Sequence, residues 1–161
     1  MTFAEFIGFL FDGRVLAFVA ATLATLVAGI GSAKGVGLAG EAAAGLVSEE
    51  PEKFAQVLVL QALPGTQGLY GFITSFLILY KIGVFSGKIA ELTTAQGFMF
   101  IAAALPIIVV GYLSAIFQGR VSVAGISIIA KKPEELAKAI TFAAMVETYA
   151  VLALLASVLM I

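Results

Sequence analysis

The sequence contains no cysteine, no histidine and no tryptophan, and only 12% of its residues are charged. The absence of cysteine excludes disulfides and thiolate metal sites, and the absence of histidine excludes imidazole ligands and triad hydrolysis. Lysine and arginine together number 9 against 10 acidic residues, so the charge gives no indication of a nucleic-acid partner. The first residues also lack the basic segment of a cleavable signal peptide, and we expect the first helix to be retained.

Apolar residues dominate what is present. They make up 61% of the 161 residues, and the mean hydropathy of +1.12 is far above that of soluble domains. Four apolar spans, at about residues 15–47, 54–80, 95–130 and 136–161, are each long enough to cross a hydrocarbon core of ~30 Å. The sequence predicts an all-α membrane protein with four transmembrane helices.

Short polar turns join the first span to the second (residues 48–53) and the third to the fourth (residues 131–135). Most of the basic residues lie toward these two turns, and basic residues favour the cytoplasmic side of a membrane. We therefore expect a multi-pass protein of the cell membrane, with both hairpin turns in the cytoplasm and both termini outside.

The chain is an internal duplication with an offset of 82 residues, the separation of Pro51 and Pro133. In each half a proline followed by glutamate comes directly before an apolar span. The sequence divides into a first helical hairpin (residues 1–80), a connecting loop (81–93) and a second hairpin (94–161). Because each half is a complete hairpin, the repeats are parallel rather than inverted.

Small residues cluster at corresponding places in the two halves. Residues 29–37 align with residues 111–119, and Gly31, Gly35 and Ser114 recur at helical spacing. A phosphate-binding loop is excluded because the Gly-Lys-Ser/Thr motif is absent. The pattern indicates faces along which transmembrane helices approach closely.

A single carboxylate, Glu147, lies in the middle of the uncharged stretch 139–161. A charge at that depth costs at least ~2.5 kcal/mol on insertion scales, which makes an intramembrane glutamate a functional candidate. Glu147 aligns with Gly65 of the first hairpin, so the duplicated unit keeps one such carboxylate. A protonated glutamate that only hydrogen-bonds neighbouring helices is the alternative.

Three polar residues are expected at the depth of Glu147. Thr66 and Gln67 follow Pro51, and Gln118 precedes the second turn, at distances that place all of them roughly 20 Å from the turns at ~1.5 Å per residue. Hydroxyl and amide oxygens beside a carboxylate suit a hard monovalent cation, whereas a proton needs only the glutamate. The set favours Na⁺ over H⁺. Interhelical hydrogen bonding of the two amides without an ion is the alternative.

Two further groups belong to the helix face of these ligands. Pro64 lacks an N–H, which leaves the carbonyl of Leu60 without its intrahelical donor and is expected to loosen the turn. Tyr70, one turn further on, has a hydroxyl able to donate a hydrogen bond to Glu147, with ordinary packing as the alternative.

Two motifs carry a family resemblance: Leu-Pro-Gly-Thr-Gln-Gly-Leu-Tyr-Gly at residues 63–71 and Ala-Ala-Met-Val-Glu-Thr-Tyr-Ala at residues 143–150. With the duplicated hairpins, they resemble the rotor-ring proteolipid (K or c subunit) of V-type ATPases, in the sodium-translocating bacterial branch. The resemblance implies that Glu147 carries the ion and that Tyr70 latches it. It also implies the ion ligands, which are the backbone carbonyl of Leu63 and the side chains of Thr66, Gln67, Gln118 and Glu147.

The resemblance further implies a homo-oligomeric ring of identical subunits around lipid, with a central-stalk subunit on the cytoplasmic side and a stator membrane subunit beside it. ATP hydrolysis elsewhere in the complex turns such a ring and moves Na⁺ across the membrane, so we expect no catalytic site in this chain. Glu41, Glu49 and Glu50 near the first turn are either stalk contacts or solvated charges. Two other functions stay open: the same ring carrying H⁺, and a small four-helix proton-coupled exchanger.

Overall fold

The computed structural model describes residues 2–161, and the regular elements within them are all helical. The α-helices of this part of the chain are α1 (Phe3–Leu10), α2 (Gly13–Glu49), α3 (Phe54–Ala62), α4 (Thr66–Lys81), α5 (Thr94–Pro106), α6 (Tyr112–Lys131) and α7 (Leu136–Met160). They are joined or interrupted by 3₁₀ turns at Pro51–Lys53, Leu63–Gly65, Val84–Ser86 and Pro133–Glu135 and by a π-helical segment at Ile107–Gly111.

Four helical runs among the described residues are long and apolar enough to cross a membrane. They are Gly13–Glu49 (α2), Pro51–Lys81 (α3 and α4), Thr94–Lys131 (α5 and α6) and Pro133–Met160 (α7). The predicted all-α fold with four membrane-spanning helices is confirmed.

The short helix α1 is not among the predicted spans. A capping box starts it: the hydroxyl of Thr2 accepts from the backbone N–H of Glu5 at 3.3 Å, and the carboxylate of Glu5 accepts from the N–H of Thr2 at 2.7 Å. Asp12 then starts α2 by accepting from the N–H of Arg14 at 2.9 Å. The Thr-x-x-Glu spacing is the local signal from which α1 could have been predicted.

Glycines bring α2 and α6 into backbone contact. A Cβ placed on Gly35 lies 2.3 Å from the carbonyl oxygen of Ala115, and one placed on Gly119 lies 2.5 Å from the Cα of Gly35. A larger side chain at either position would push the two helices apart. The predicted packing role of the small-residue stretches is confirmed.

Two apolar clusters lie at different levels of the bundle. One, toward the chain termini, includes Ile78 and Ile107, and the other, toward the hairpin turns, includes Leu60 and Ile129. Between them lies a layer of buried polar side chains: Ser32, Gln67, Ser114 and Gln118. Polar groups at this depth in a membrane bundle mark a functional site.

Candidate ion-binding site

The site begins at a break between α3 and α4, where Leu63–Gly65 form a 3₁₀ turn around Pro64. The sequence geometry indicated a loosened turn and a free carbonyl at Leu60. In the structure the turn tightens instead, because the N–H of Thr66 bonds to the carbonyl three residues back. The oxygen beside the candidate side-chain ligands is therefore that of Leu63, which is the carbonyl that the family resemblance implies.

Three oxygen atoms of different kinds meet where α4 begins. Oγ1 of Thr66 donates to the carbonyl of Leu63 at 3.1 Å and lies 3.4 Å from Oε1 of Gln67. One turn of helix thus presents a carbonyl, a hydroxyl and an amide oxygen together. We call residues 63–67 the ligand turn. Uncharged oxygens in such a group are suitable ligands for a hard cation.

Two fully buried amides connect the ligand turn to the carboxylate. Nε2 of Gln67 donates to Oε1 of Gln118 at 2.6 Å, and Nε2 of Gln118 donates to Oε2 of Glu147 at 3.2 Å. Both glutamines are 0% exposed, so their polar atoms need partners inside the protein. The structure brings α4, α6 and α7 together at one level, as the common depth of these residues predicts.

Glu147 is half-buried and accepts a hydrogen bond at each carboxylate oxygen. The bond to Oε1 comes from the hydroxyl of Tyr70 at 2.6 Å. Thr74, one turn further along α4, donates its hydroxyl to the backbone carbonyl of Tyr70 at 3.0 Å. Hydrogen bonds to the carboxylate reduce the cost of holding its charge in apolar surroundings. Tyr70 therefore has the position that a latch requires, and that role stays a prediction.

Two serines at this level are missing from the predicted site. Ser114 accepts from Nε2 of Gln67 at 3.2 Å, and Ser32 accepts from the backbone N–H of Gly68 at 2.8 Å. Sequence reasoning assigned Ser114 to helix packing, because a serine on a small-residue face resembles glycine or alanine. The duplication held the missing signal, since Ser32 and Ser114 occupy equivalent positions in the two halves.

The ligands available at this site are oxygen atoms with one formal negative charge. Within residues 2–161, no group of three histidine, cysteine, aspartate or glutamate side chains is placed to hold a metal ion. One carboxylate among uncharged oxygens is balanced instead by one monovalent cation, either Na⁺ or a proton. Because Gln118 presents an N–H to Glu147, a metal ion between them requires this amide to turn its oxygen inward.

Two segments of the chain match one protein family. Residues 19–78 and residues 101–160 each match the ATP synthase C-subunit family. The two segments begin 82 residues apart, which is the offset of the predicted duplication, and together they include every predicted site residue. The chain belongs to the ATP synthase C-subunit family.

Two relatives are similar over most of the chain. The V-type sodium ATPase subunit K of Enterococcus hirae is 53% identical over 149 residues, covering 92% of this chain and 92% of that protein. The A-type ATP synthase subunit K of Methanocaldococcus jannaschii is 40% identical over 150 residues, covering 93% of this chain and 63% of that protein. The predicted resemblance is confirmed, and with it an ion-carrying subunit of a rotary ATPase that has no catalytic site of its own. The exchanger alternative has no support.

Proposed function

We propose that this protein is the rotor subunit that carries Na⁺ through the membrane sector of a V-type ATPase, with Glu147 as the ion-carrying carboxylate. The observation that carries the proposal is the continuous hydrogen-bonded network that joins the ligand turn, the two amides and the single carboxylate. The 53% identity to a sodium ATPase subunit supports the choice of ion. The proposed ligands are the carbonyl of Leu63 and the side chains of Thr66, Gln67, Gln118 and Glu147, with Tyr70 as the latch.

Neutralisation of Glu147 is the physical basis of carriage. An ionised carboxylate at the bilayer centre costs at least ~2.5 kcal/mol, so rotation past lipid requires a bound cation. Na⁺ held between Glu147 and the uncharged oxygens leaves no net charge at that depth. At the stator subunit, a basic side chain would stabilise the free carboxylate and favour release of the ion. ATP hydrolysis in the soluble sector turns the ring and brings each site there in sequence.

Loading exchanges hydrogen bonds for contacts with the ion. Glu147 gives up the N–H of Gln118 when that amide turns its oxygen toward Na⁺. Tyr70 keeps its hydrogen bond to the other carboxylate oxygen and holds Glu147 against α4. The ligand turn needs no rearrangement of its backbone, because its carbonyl and hydroxyl already lie side by side. Most of the coordination shell is thus preorganised.

The proposed assembly is a closed ring of identical subunits around lipid, with the stator subunit at its outer surface. We place both hairpin turns in the cytoplasm, where the central stalk binds, and both termini outside. In this arrangement residues 1–80 and residues 94–161 are the two hairpins, and residues 81–93 form the loop on the outer side.

Single cysteines can test this sidedness, because the chain has none of its own. Ser48 near the first turn and Ser86 in the loop are both exposed. In sealed vesicles of known orientation, Ser48→Cys is expected to react with a membrane-impermeant maleimide from the cytoplasmic side, and Ser86→Cys from the outer side. The reverse pattern would invert the proposed topology.

The ion is tested by carbodiimide labelling of Glu147 in purified rings, titrated with NaCl or KCl at fixed pH. Carbodiimides react with a protonated carboxyl group, so a bound Na⁺ protects the site. We expect protection by Na⁺ and none by K⁺, shifted to higher NaCl in Thr66→Ala and Gln118→Ala. Labelling that follows pH alone and ignores Na⁺ would show that the ring carries H⁺ and that the two amides only bridge helices.

A further inference from the structure

Ser114 links three helices of the site through one hydroxyl group. Its Oγ accepts from Nε2 of Gln67 at 3.2 Å and donates to the carbonyl of Val146 at 3.1 Å. Val146 directly precedes Glu147, so Ser114 on α6 ties the amide on α4 to the backbone of α7 beside the carboxylate. Ser114 is buried, with 5% of its surface exposed, so these bonds lie in the protein interior.

These bonds fix the orientation of the Gln67 amide. The hydroxyl of Ser114 has one proton, which goes to Val146, so toward Gln67 it can only accept. The second N–H of Gln67 goes to Oε1 of Gln118 at 2.6 Å. Both N–H groups therefore face α6, and Oε1 faces Thr66 at 3.4 Å. An amide with oxygen and nitrogen exchanged would place two acceptors against each other.

Ser32 holds the ligand turn from the opposite side. Its hydroxyl accepts from the backbone N–H of Gly68 at 2.8 Å and donates to the carbonyl of Gly65 at 3.3 Å. These two backbone groups flank Thr66 and Gln67, so Ser32 on α2 fixes the start of α4. The duplication has thus placed one serine of each half against the same set of ligands.

We propose that Ser114 and Ser32 are positioning residues of the ion site. Ser114 determines which atom of the Gln67 amide faces the ion, and Ser32 fixes the turn that carries the other ligands. The inference rests on the proposed function and adds two residues that do not themselves contact the ion. Their role is greatest during loading: when the amide of Gln118 turns toward Na⁺, Gln67 loses that acceptor and Ser114 continues to hold its N–H group.

The test measures how much NaCl gives half-maximal protection of Glu147 from carbodiimide, in membranes that contain the whole ATPase. Ser114→Ala is expected to raise that concentration about three- to tenfold, the range for an interhelical hydrogen bond in a membrane. Ser32→Ala is expected to raise it about two- to threefold, because the helical bonds of α4 remain. Ser127→Ala is the matched control on α6, since its exposed hydroxyl bonds to Val123 of the same helix at 3.3 Å, and we expect no change.

Two further variants separate positioning from general damage. Ser114→Thr retains the hydroxyl and is expected to protect like the wild type, whereas Ser114→Cys has nearly the size of serine but bonds weakly and is expected to behave like alanine. Ser114→Cys also replaces the alanine variant if that variant does not assemble. The labelling rate without Na⁺ is expected to stay constant, which a disrupted site would not allow.

A double variant identifies the route of the effect. If Ser114 acts through Gln67, then Ser114→Ala added to Gln67→Ala changes the half-protecting concentration by less than about twofold. Full additivity, or unchanged protection in both Ser114→Ala and Ser114→Cys, would overturn the inference while a Na⁺-protected wild type leaves the proposed function intact. A wild type that Na⁺ does not protect would overturn both.

Discussion

The two halves of the chain share a helical hairpin but contribute different atoms to the candidate site. The first half supplies the ligand turn, and the second half supplies Gln118 on α6 and Glu147 on α7. At the repeat offset, Gln118 corresponds to Val36 and Glu147 to Gly65. The first half therefore lacks the acid and the amide that a second copy of the site would need at these positions.

One local feature survives in both halves. The hydroxyl of Thr66 bonds to the carbonyl of Leu63 at 3.1 Å, and at the equivalent positions the hydroxyl of Thr148 bonds to the carbonyl of Met145 at 2.7 Å. Thr148 and Met145 are exposed on α7, whereas Thr66 faces the buried amides. The comparison teaches that a threonine–carbonyl pair is a common local feature of a helix. It becomes a candidate for ion binding only where other oxygens and an acid converge on it.

Moving the carboxylate between the halves has the largest expected effect. Glu147→Gln is expected to abolish ATP-driven uptake of radioactive Na⁺ into vesicles, because no other group at that depth carries a charge to balance the ion. Gly65→Glu combined with Glu147→Gly is expected to stay inactive, since Val36 rather than an amide occupies the position equivalent to Gln118. Glu91→Gln in the exposed loop is the control and is expected to transport normally. Uptake by the relocated variant would show that the two halves are interchangeable.

The helix seam provides the next largest difference. Gly119→Ala places a methyl group 2.5 Å from the Cα of Gly35 and is expected to cost about 1–3 kcal/mol, since the backbones must separate. Its repeat partner Gly37 faces open space, with no atom within 4 Å of an added Cβ, so Gly37→Ala is expected to assemble normally. The yield of intact complex and its thermal inactivation temperature measure both. Equal losses in the two variants would contradict the asymmetry of the seam.

The two threonines form a matched pair. Thr66→Ala is expected to raise the NaCl needed for half-maximal protection of Glu147 about tenfold, the result of losing one of a few ligands. Thr148→Ala removes an equivalent hydroxyl from the exposed side of α7 and is expected to have no effect. A shift in Thr148→Ala comparable to that in Thr66→Ala would mean that the second threonine also faces an ion.

Most of the fold could be predicted because it depends on length and hydropathy. Each apolar span had the length to cross a bilayer, and the proline–glutamate turns marked where the hairpins reverse. Two features depend on local detail that hydropathy does not register. Helix α1 follows from the capping box of Thr2 and Glu5, and the π-helical segment Ile107–Gly111 follows Pro106, which cannot donate to the helical ladder.

The polar members of the candidate site could be predicted because helical rise converts residue counts into depth. Counting from the turns placed Gln67, Gln118 and Glu147 at one level, and the structure brings them into contact. Depth does not determine which carbonyl a proline exposes, because that depends on whether the turn tightens or loosens. Nor does it identify Ser114, whose role depends on a donor and an acceptor from two other helices.

The smallest expected effect separates the latch from the ligands. Tyr70→Phe removes the hydroxyl that donates to Oε1 of Glu147 at 2.6 Å but leaves every proposed ion ligand in place. We expect the half-protecting NaCl concentration to rise only about two- to fivefold, because one hydrogen bond is lost while the coordination shell remains. Tyr149→Phe is the control, since that side chain is 66% exposed on α7.

A latch and a ligand differ in what they change. A latch holds Glu147 in the closed position, so its loss speeds both release of Na⁺ and carbodiimide labelling in the absence of Na⁺. Loss of a ligand such as Thr66 weakens binding of the ion but leaves labelling without Na⁺ unchanged. Faster labelling without Na⁺ in Tyr70→Phe, with the rate unaltered in Thr66→Ala, is therefore the result that a latch requires. An affinity loss as large as that of Thr66→Ala with an unaltered labelling rate would make Tyr70 part of the coordination shell instead.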